Sequence, residues 1–497
     1  MIKGLLNSLL IILVLGCQNP QVDKYTIEIF QTSRSGDKLK KVPESGKETS
    51  QIIQILPNEK YQKITGFGGA FTESSAHLLN EISPQRRAEI IHAYFSKNGA
   101  NYSLTRTHMN SCDFSLDHYS YAVHPNDTEL VHFSIAPDLD DLIPMIKDAQ
   151  SISKDGFKIV ASPWTAPPWM KDNGDWYGGK LLPEYYSTWA SFFSKYLSAY
   201  KNEGIDIWGV TVENEPLGND SHWESMHYTP QEMSLFVKDH LGPQLKKDGW
   251  QTEILVYDQN RGEELEEWAK VLLTDEELKP WIYGTAVHWY TGTQNWFPKS
   301  LQYTHDLAPE KHIVHTEGCV DSEIPHWEDD GWYWQKEATD WGYDWAKPEN
   351  KHNHPKYVPV YRYARDIIGC MNNWVEGWID WNMVLDEKGG PNLASNWCVA
   401  PVLVNVEKDA VYYTPMYYVM SHFSKYIRPG STRVGVSSSD NQLMVTATEK
   451  DGNYTLVVLN MSPDNKLFQV ELNGFSSNIE MEGEALQTIV LKKNTSN

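Results

Sequence analysis

Two stretches decide how this chain folds: Val210-Thr211-Val212-Glu213-Asn214-Glu215-Pro216 and Ile313-Val314-His315-Thr316-Glu317-Gly318-Cys319. Each is a short β-branched run that ends in a glutamate. Nearly continuous apolar runs of this length are what strands buried on both faces look like, and such strands belong to parallel sheets. Working outward from these two, eight such runs can be read, at residues 64–70, 102–106, 158–162, 207–212, 254–257, 283–287, 312–316 and 377–381. Amphipathic segments fill the gaps. Across 138–154 the apolar positions are Leu139, Leu142, Ile143, Ile146 and Ala149; across 185–202 they are Trp189, Phe192, Phe193, Tyr196 and Leu197. Both are the one-sided stripe of a helix lying on a sheet. Eight strands alternating with helices predict an α/β fold, a (β/α)8 TIM barrel over residues 62–414.

The runs end in polar or aromatic residues: Glu73, Arg106, Trp164, Asn214-Glu215, Asp258, His288-Trp289-Tyr290, Glu317 and Trp381-Asn382. At the carboxyl ends of barrel strands such residues form the catalytic face. Glutamates at the ends of the fourth and seventh strands converge across a small barrel. Glycoside cleavage needs two such carboxyl groups, about 5–5.5 Å apart when configuration is retained. On an ideal strand Glu213 and Glu215 face the same way. Pro216 ends the strand and favours Glu215 as the tip residue. The competing reading for either glutamate is a barrel-mouth ion pair.

The flanking regions differ. Past residue 415, short alternating strands at 433–436, 442–448, 453–460, 467–472 and 485–491 predict an accessory all-β sandwich over 415–497. Residues 25–31 and 50–56 also read as strands, so 18–61 is expected to be a tether followed by strands joining that sandwich. Residues 1–17 combine Lys3, an apolar run at 9–15 and Val14-Leu15-Gly16-Cys17. That run is too short to span a bilayer as an ordinary helix and reads as a signal peptide. The tetrapeptide resembles a bacterial lipoprotein cleavage box, which implies lipidation at Cys17 and an outer-membrane lipoprotein facing either the cell surface or the periplasm. A plain secretory signal is the alternative.

The 497-residue chain carries a net charge of −23. Repulsion from phosphates argues against nucleic acid and against anionic membrane surfaces as working partners, leaving the lipid anchor as the membrane contact. A neutral substrate is the simplest fit. The 20 Trp and 27 Tyr residues suit stacking on sugar faces, although most belong to a large core. No CxxC or HExxH pattern occurs, and His312 and His315 fall on opposite faces of one strand, so neither a metal nor another cofactor is expected. Oligomeric state leaves no mark in the sequence.

The motifs in order resemble glycoside hydrolase family 30, which includes glucosylceramidases and bacterial β-1,6-glucanases. They are Gly66-Phe67-Gly68-Gly69-Ala70-Phe71-Thr72-Glu73; Arg106 with Ser111-Cys112-Asp113-Phe114-Ser115; Ala161-Ser162-Pro163-Trp164-Thr165-Ala166-Pro167; Glu213-Asn214-Glu215-Pro216; Val287-His288-Trp289-Tyr290; Asp380-Trp381-Asn382; and Gly389-Gly390-Pro391-Asn392. The resemblance implies Glu215 as general acid/base and Glu317 as nucleophile, with Asn214 bonding the sugar 2-hydroxyl. It implies that Trp164, Trp381 and Asn396 line a glucose site and that Arg106, His288 and Tyr290 surround the carboxylates. Glu73 stands where glucosylceramidases carry aspartate, and is expected to bind sugar hydroxyls. Trp289 reads as core, and Cys112 and Cys319 as packing residues without a redox role. The leading expectation is a retaining β-glycosidase releasing glucose from β-1,6-linked glucan. Glucosylceramidase is the alternative within the class, and a non-catalytic glycan-binding lipoprotein is the alternative outside it.

Overall fold

The computed structural model describes residues 25–292, 295–321, 358–396 and 398–494. The proposed signal peptide, Cys17 and the tether to residue 24 lie outside them. All eight expected barrel strands are present and close on themselves in sequence order, with the eighth pairing with the first. They are Gly66–Phe71, Leu104–Met109, Lys158–Pro163, Gly209–Thr211, Glu253–Asn260, Gly284–His288, His312–Glu317 and Val375–Asn382. Every rung is parallel. The glycines of the first strand serve this closure. A Cβ on Gly68 would sit 2.0 Å from the Leu104 carbonyl oxygen, so any side chain there would push the second strand away.

Side chains inside the barrel are stacked in layers. Leu104, Val160, Leu255, Ala286, Val314 and Ile379 form one buried apolar cluster, with Trp208 and Tyr283 packed against it. Side chains on a strand repeat every second residue, so the next inward positions toward the carboxyl ends are Arg106, Ser162, His288, Thr316 and Trp381. An apolar plug thus passes directly into a polar layer. Register shifts at Tyr257/Gln259, His315/Glu317 and Asp380/Asn382 break the alternation at the rim. Such bulges re-aim side chains, and two of them deliver Asp258 and Glu317.

The predicted C-terminal strands and both N-terminal ones lie in one nine-stranded sheet. Tyr25–Ser33 pairs along its length with Ala485–Lys493, and Ile52–Lys63 lies between Thr432–Ser438 and Lys466–Leu472. Its core includes Ile29, Ile53, Val434, Leu456, Phe468 and Ile489. The first element past residue 415 is a helix, Pro415–Ser424, that joins the two bodies. Phe423 meets Phe67 of the barrel at 5.9 Å between ring centres. His422 is hydrogen-bonded to Thr488 and Thr32 of the sheet, each at 2.8 Å. Among the described residues, no helix is long and apolar enough to cross a membrane.

Candidate active site

A cavity of about 360 Å³ opens at the carboxyl ends of the barrel strands, lined by Glu215, Glu317, Asn214, Trp164, Trp381, Tyr290 and Asn396. Of the two glutamates after the fourth strand, Glu215 lines it and Glu213 does not. That strand stops at Thr211, so the two-residue alternation no longer governs residues 212–216. The Asn214 N–H donates to the Pro163 carbonyl and the Glu215 N–H to that of Asp258, at 2.7 and 3.0 Å. Glu215 is held at φ 49°, a left-handed conformation uncommon for a residue with a side chain and often found at functional sites. Glu213 is buried, and neither of its carboxylate oxygens has a hydrogen-bond partner among the described residues. Burial pushes its carboxyl well up, with Lys171 opposing, and Glu213 is absent from the cavity wall.

Glu317 ends the seventh strand. Arg106 donates to its Oε2, and the Tyr290 hydroxyl donates to its Oε1 at 2.9 Å. Arg106 is buried and anchored on every side. Its Nε donates to Ser162 at 3.0 Å, and Nη2 donates to both Asn214 Oδ1 and Asp258 Oδ2 at 2.8 Å. The planar guanidinium therefore fixes the nucleophile candidate and the Asn214 amide relative to each other. Burial pushes the Glu317 carboxyl up, while His288, Arg106 and Tyr290 draw it back and Glu215 opposes them.

His288 bridges the two carboxylates' surroundings. One ring nitrogen is 3.3 Å from Glu215 Oε1 and the other 2.9 Å from Asp258 Oδ1. Burial disfavours its charge, but Glu317 and Asp258 outweigh that and raise its pKa to about 9. At neutral pH His288 is a cation donating from both nitrogens. Asp258 completes the set. Burial alone would raise its carboxyl, but Arg106 and His288 hold it well below the usual carboxylate range, and the Thr316 hydroxyl donates to it at 2.6 Å.

Single ligand-type atoms of Glu215, His288 and Glu317 lie within 4.8 Å of one another. That spacing alone would suit a divalent ion. However, a protonated His288 has no lone pair to offer, and Arg106 already neutralises Glu317. The same spacing brings an oxygen of Glu215 within 4.8 Å of one of Glu317. This agrees with the separation of about 5–5.5 Å in retaining glycosidases and falls below the roughly 6.5–9.5 Å of inverting ones. Beside the pair, the indoles of Trp164 and Trp381 stack 5.2 Å apart, with the Arg106 guanidinium over the Trp164 ring at 4.8 Å.

Of the sequence-predicted residues, Glu215, Glu317, Trp164, Asn214, Tyr290, Trp381 and Asn396 line the cavity. Arg106 and His288 sit directly behind it. Glu73 does not reach it. It is the first residue of the helix Glu73–Glu81, and its carboxylate accepts the Leu116 N–H at 3.3 Å. Glu73 follows the first barrel strand and opens the next helix, where its carboxylate is held by the loop at Leu116. Burial raises its pKa to about 7. Trp289 is core, as expected, with its indole N–H on the Cys319 carbonyl at 3.1 Å. Two further residues carry no role in the sequence reading. Asp258 is legible there only as a strand-end acid. Asp113 lines the cavity and accepts from the Asn396 amide at 3.0 Å. Its other oxygen is buried with no partner among the described residues, and burial pushes its carboxyl well up.

A (β/α)8 barrel with two glutamates poised across a tryptophan-walled cavity defines a glycoside hydrolase. Residues 64–427 match the model of the glycosyl hydrolase family 30 TIM-barrel domain, and residues 430–489 that of the family 30 beta sandwich domain. The chain belongs to glycosyl hydrolase family 30. It is 35% identical over 427 residues to the lysosomal acid glucosylceramidase of Mus musculus, covering 84% of this chain and 78% of that protein. It is 25% identical over 443 residues to the endo-1,6-beta-D-glucanase of Neurospora crassa, covering 86% and 84%. A solved endo-beta1,6-glucanase superposes with a TM-score of 0.81 at 28% identity, covering 94% of this chain and 99% of that one.

Proposed function

We propose that this chain hydrolyses β-linked glucose from glucans by double displacement, with β-1,6 linkages preferred. The observation that carries the reading is the approach of Glu215 and Glu317 to within 4.8 Å. In the first step Glu317 attacks the anomeric carbon, and Glu215 passes its proton to the departing oxygen. In the second, Glu215 takes a proton from water as that water attacks the anomeric carbon and expels Glu317. Arg106 and Tyr290 hold both oxygens of Glu317 on line, and Asn214 stands ready for the 2-hydroxyl.

The leaving group must lie on the side of Glu215. The segment after that residue contributes Leu217, Gly218, Asn219 and Trp223 to the cavity wall, with Gln259 and Asn260 beside them. One aromatic face among amides suits a second sugar, which offers both an apolar ring face and hydroxyls. Similarity to the Neurospora crassa glucanase and to the solved endo-beta1,6-glucanase supports this reading. A second reading, hydrolysis of glucosylceramide, is favoured by the 35% identity to the mouse enzyme. Incubation with pustulan, laminarin and glucosylceramide in parallel tests the choice. Glucose or gluco-oligosaccharides from pustulan are expected, and release from the lipid alone would reverse the order. We also propose export as an outer-membrane lipoprotein anchored at Cys17. Cys17→Ala should then leave the membrane fraction, and a variant that stayed would refute the anchor.

A further inference from the structure

The cavity wall holds a second reactive group that glycoside cleavage does not use. Cys319 and Cys398 both line the cavity, and their sulfurs are 3.0 Å apart although the residues are 79 apart in sequence. A short antiparallel ladder brings them together, pairing Val320 with Val399 and Asp321 with Cys398. Cys319 stands two residues before Asp321, so it occupies the diagonal position on the same face as Cys398. This approach is closer than the van der Waals contact of two sulfurs. The other cysteines are engaged differently. Cys112 contacts the Ser115 hydroxyl at 3.8 Å, and Cys370 lies between Arg261 and Asp366.

The pair is also wired to the chemistry. Cys319 is two residues past Glu317. Its sulfur is 3.5 Å from the Tyr290 hydroxyl, the same hydroxyl that donates to Glu317. We propose that Cys319 and Cys398 form a dithiol modification site that a small disulfide converts to an intramolecular disulfide, slowing turnover. One cysteine, as thiolate, attacks the small disulfide, forming a mixed disulfide and releasing one thiolate. The second cysteine attacks the first sulfur and releases the other thiolate. Two cysteine thiols are oxidised, the small disulfide is reduced to two thiols, and the two cysteine protons end on them. An S–S bond is about 2.05 Å, so the sulfurs close by about 1 Å. That movement draws Cys319 off the Tyr290 hydroxyl and shifts the segment that follows Glu317.

The cross-link stands on thiol geometry alone, whereas the loss of turnover rests on the proposed glycosidase function, and the two are read separately. The full chain is incubated with glutathione disulfide, alkylated, and analysed by intact mass and peptide mapping. The expected result is loss of two hydrogens, a cross-linked peptide joining residues 319 and 398, and kcat lower on the order of 10²-fold, the scale of a misplacement of about 1 Å. Dithiothreitol should restore it. Cys398→Ser should give only a glutathione adduct on Cys319, with Cys398→Ala used if the serine variant does not fold. Two unreacted thiols, separate adducts without a cross-link, or a cross-link with unchanged kcat would each overturn the proposal. A chain that turns over no glycoside would refute the proposed function instead and leave the cross-link to decide whether the dithiol exists.

Discussion

Asp258→Asn is the substitution that best separates arrangement from chemistry, because Asp258 touches neither the reacting carbon nor the cavity. Its carboxylate accepts from Arg106 at 2.8 Å, His288 at 2.9 Å and Thr316 at 2.6 Å. Asparagine keeps the shape but removes the charge and turns an N–H₂ toward groups that are themselves donors. Removing one member of a buried ion pair costs about 3–5 kcal/mol of stability. Arg106 and His288 would then reorient, and loss of one preorganised donor typically costs roughly 10²–10³ in kcat. The effect has a further signature. His288 is raised to about 9 by Glu317 and Asp258 working against burial. The wild-type pH profile should therefore lose activity on its alkaline side near 9. Without Asp258 that limb should move toward neutrality. The raised folded-state value means that the stability His288 contributes, on the order of 3 kcal/mol, is full below about 6.5 and is lost as pH rises through about 9. The assay is kcat and KM on a nitrophenyl β-glucoside from about pH 5 to 10, a range that brackets both values, with thermal melts alongside. An Asp258→Asn enzyme with near-normal kcat and an unmoved alkaline limb would refute the claim that Asp258 sets the charge of this site.

The same geometry has other consequences. Glu215→Ala should lose turnover on glucosides with poor leaving groups, and azide should rescue activity on an activated glucoside by giving a β-glucosyl azide; an α-azide would contradict retention. Trp223→Ala should raise KM for a β-1,6-glucan several-fold while sparing a nitrophenyl glucoside, which steady-state kinetics on both substrates would check. Burial lowers His108 to about 4 and His422 to about 3. The folded state therefore keeps both neutral, and their contribution to stability is full above about 6.5 and falls as the pH drops toward about 4. Melting midpoints should decline over that window, and His422→Gln should flatten the decline.

Much of the fold is legible in the sequence because parallel barrel strands are buried on both faces and spell out as apolar runs. Where the two-residue alternation continues undisturbed, residues such as Arg106 and His288 can be placed by counting. It fails where the backbone leaves that pattern. The fourth strand stops at Thr211, so Glu213 and Glu215 cannot be told apart by alternation. Asp258 enters through a register shift between Tyr257 and Gln259, invisible in the residue types. Asp113 lies in a loop whose course is set by distant contacts, such as the Leu393 N–H on its own carbonyl. Glu73 is absent from the cavity wall because it opens the next helix, where its carboxylate is taken by the Leu116 N–H. The Cys319–Cys398 approach depends on two short strands distant in sequence pairing with each other, which no local pattern encodes.

In the proposed mechanism Glu317 forms the covalent bond to the sugar while Glu215 moves the proton. The most direct measurement is trapping with a 2-deoxy-2-fluoro-β-glucosyl fluoride, followed by peptide mapping. One fluoroglucosyl group on the peptide carrying Glu317, attached at that residue, is predicted. Attachment at Glu215 or Glu213, or inactivation with no covalent sugar, would contradict the account.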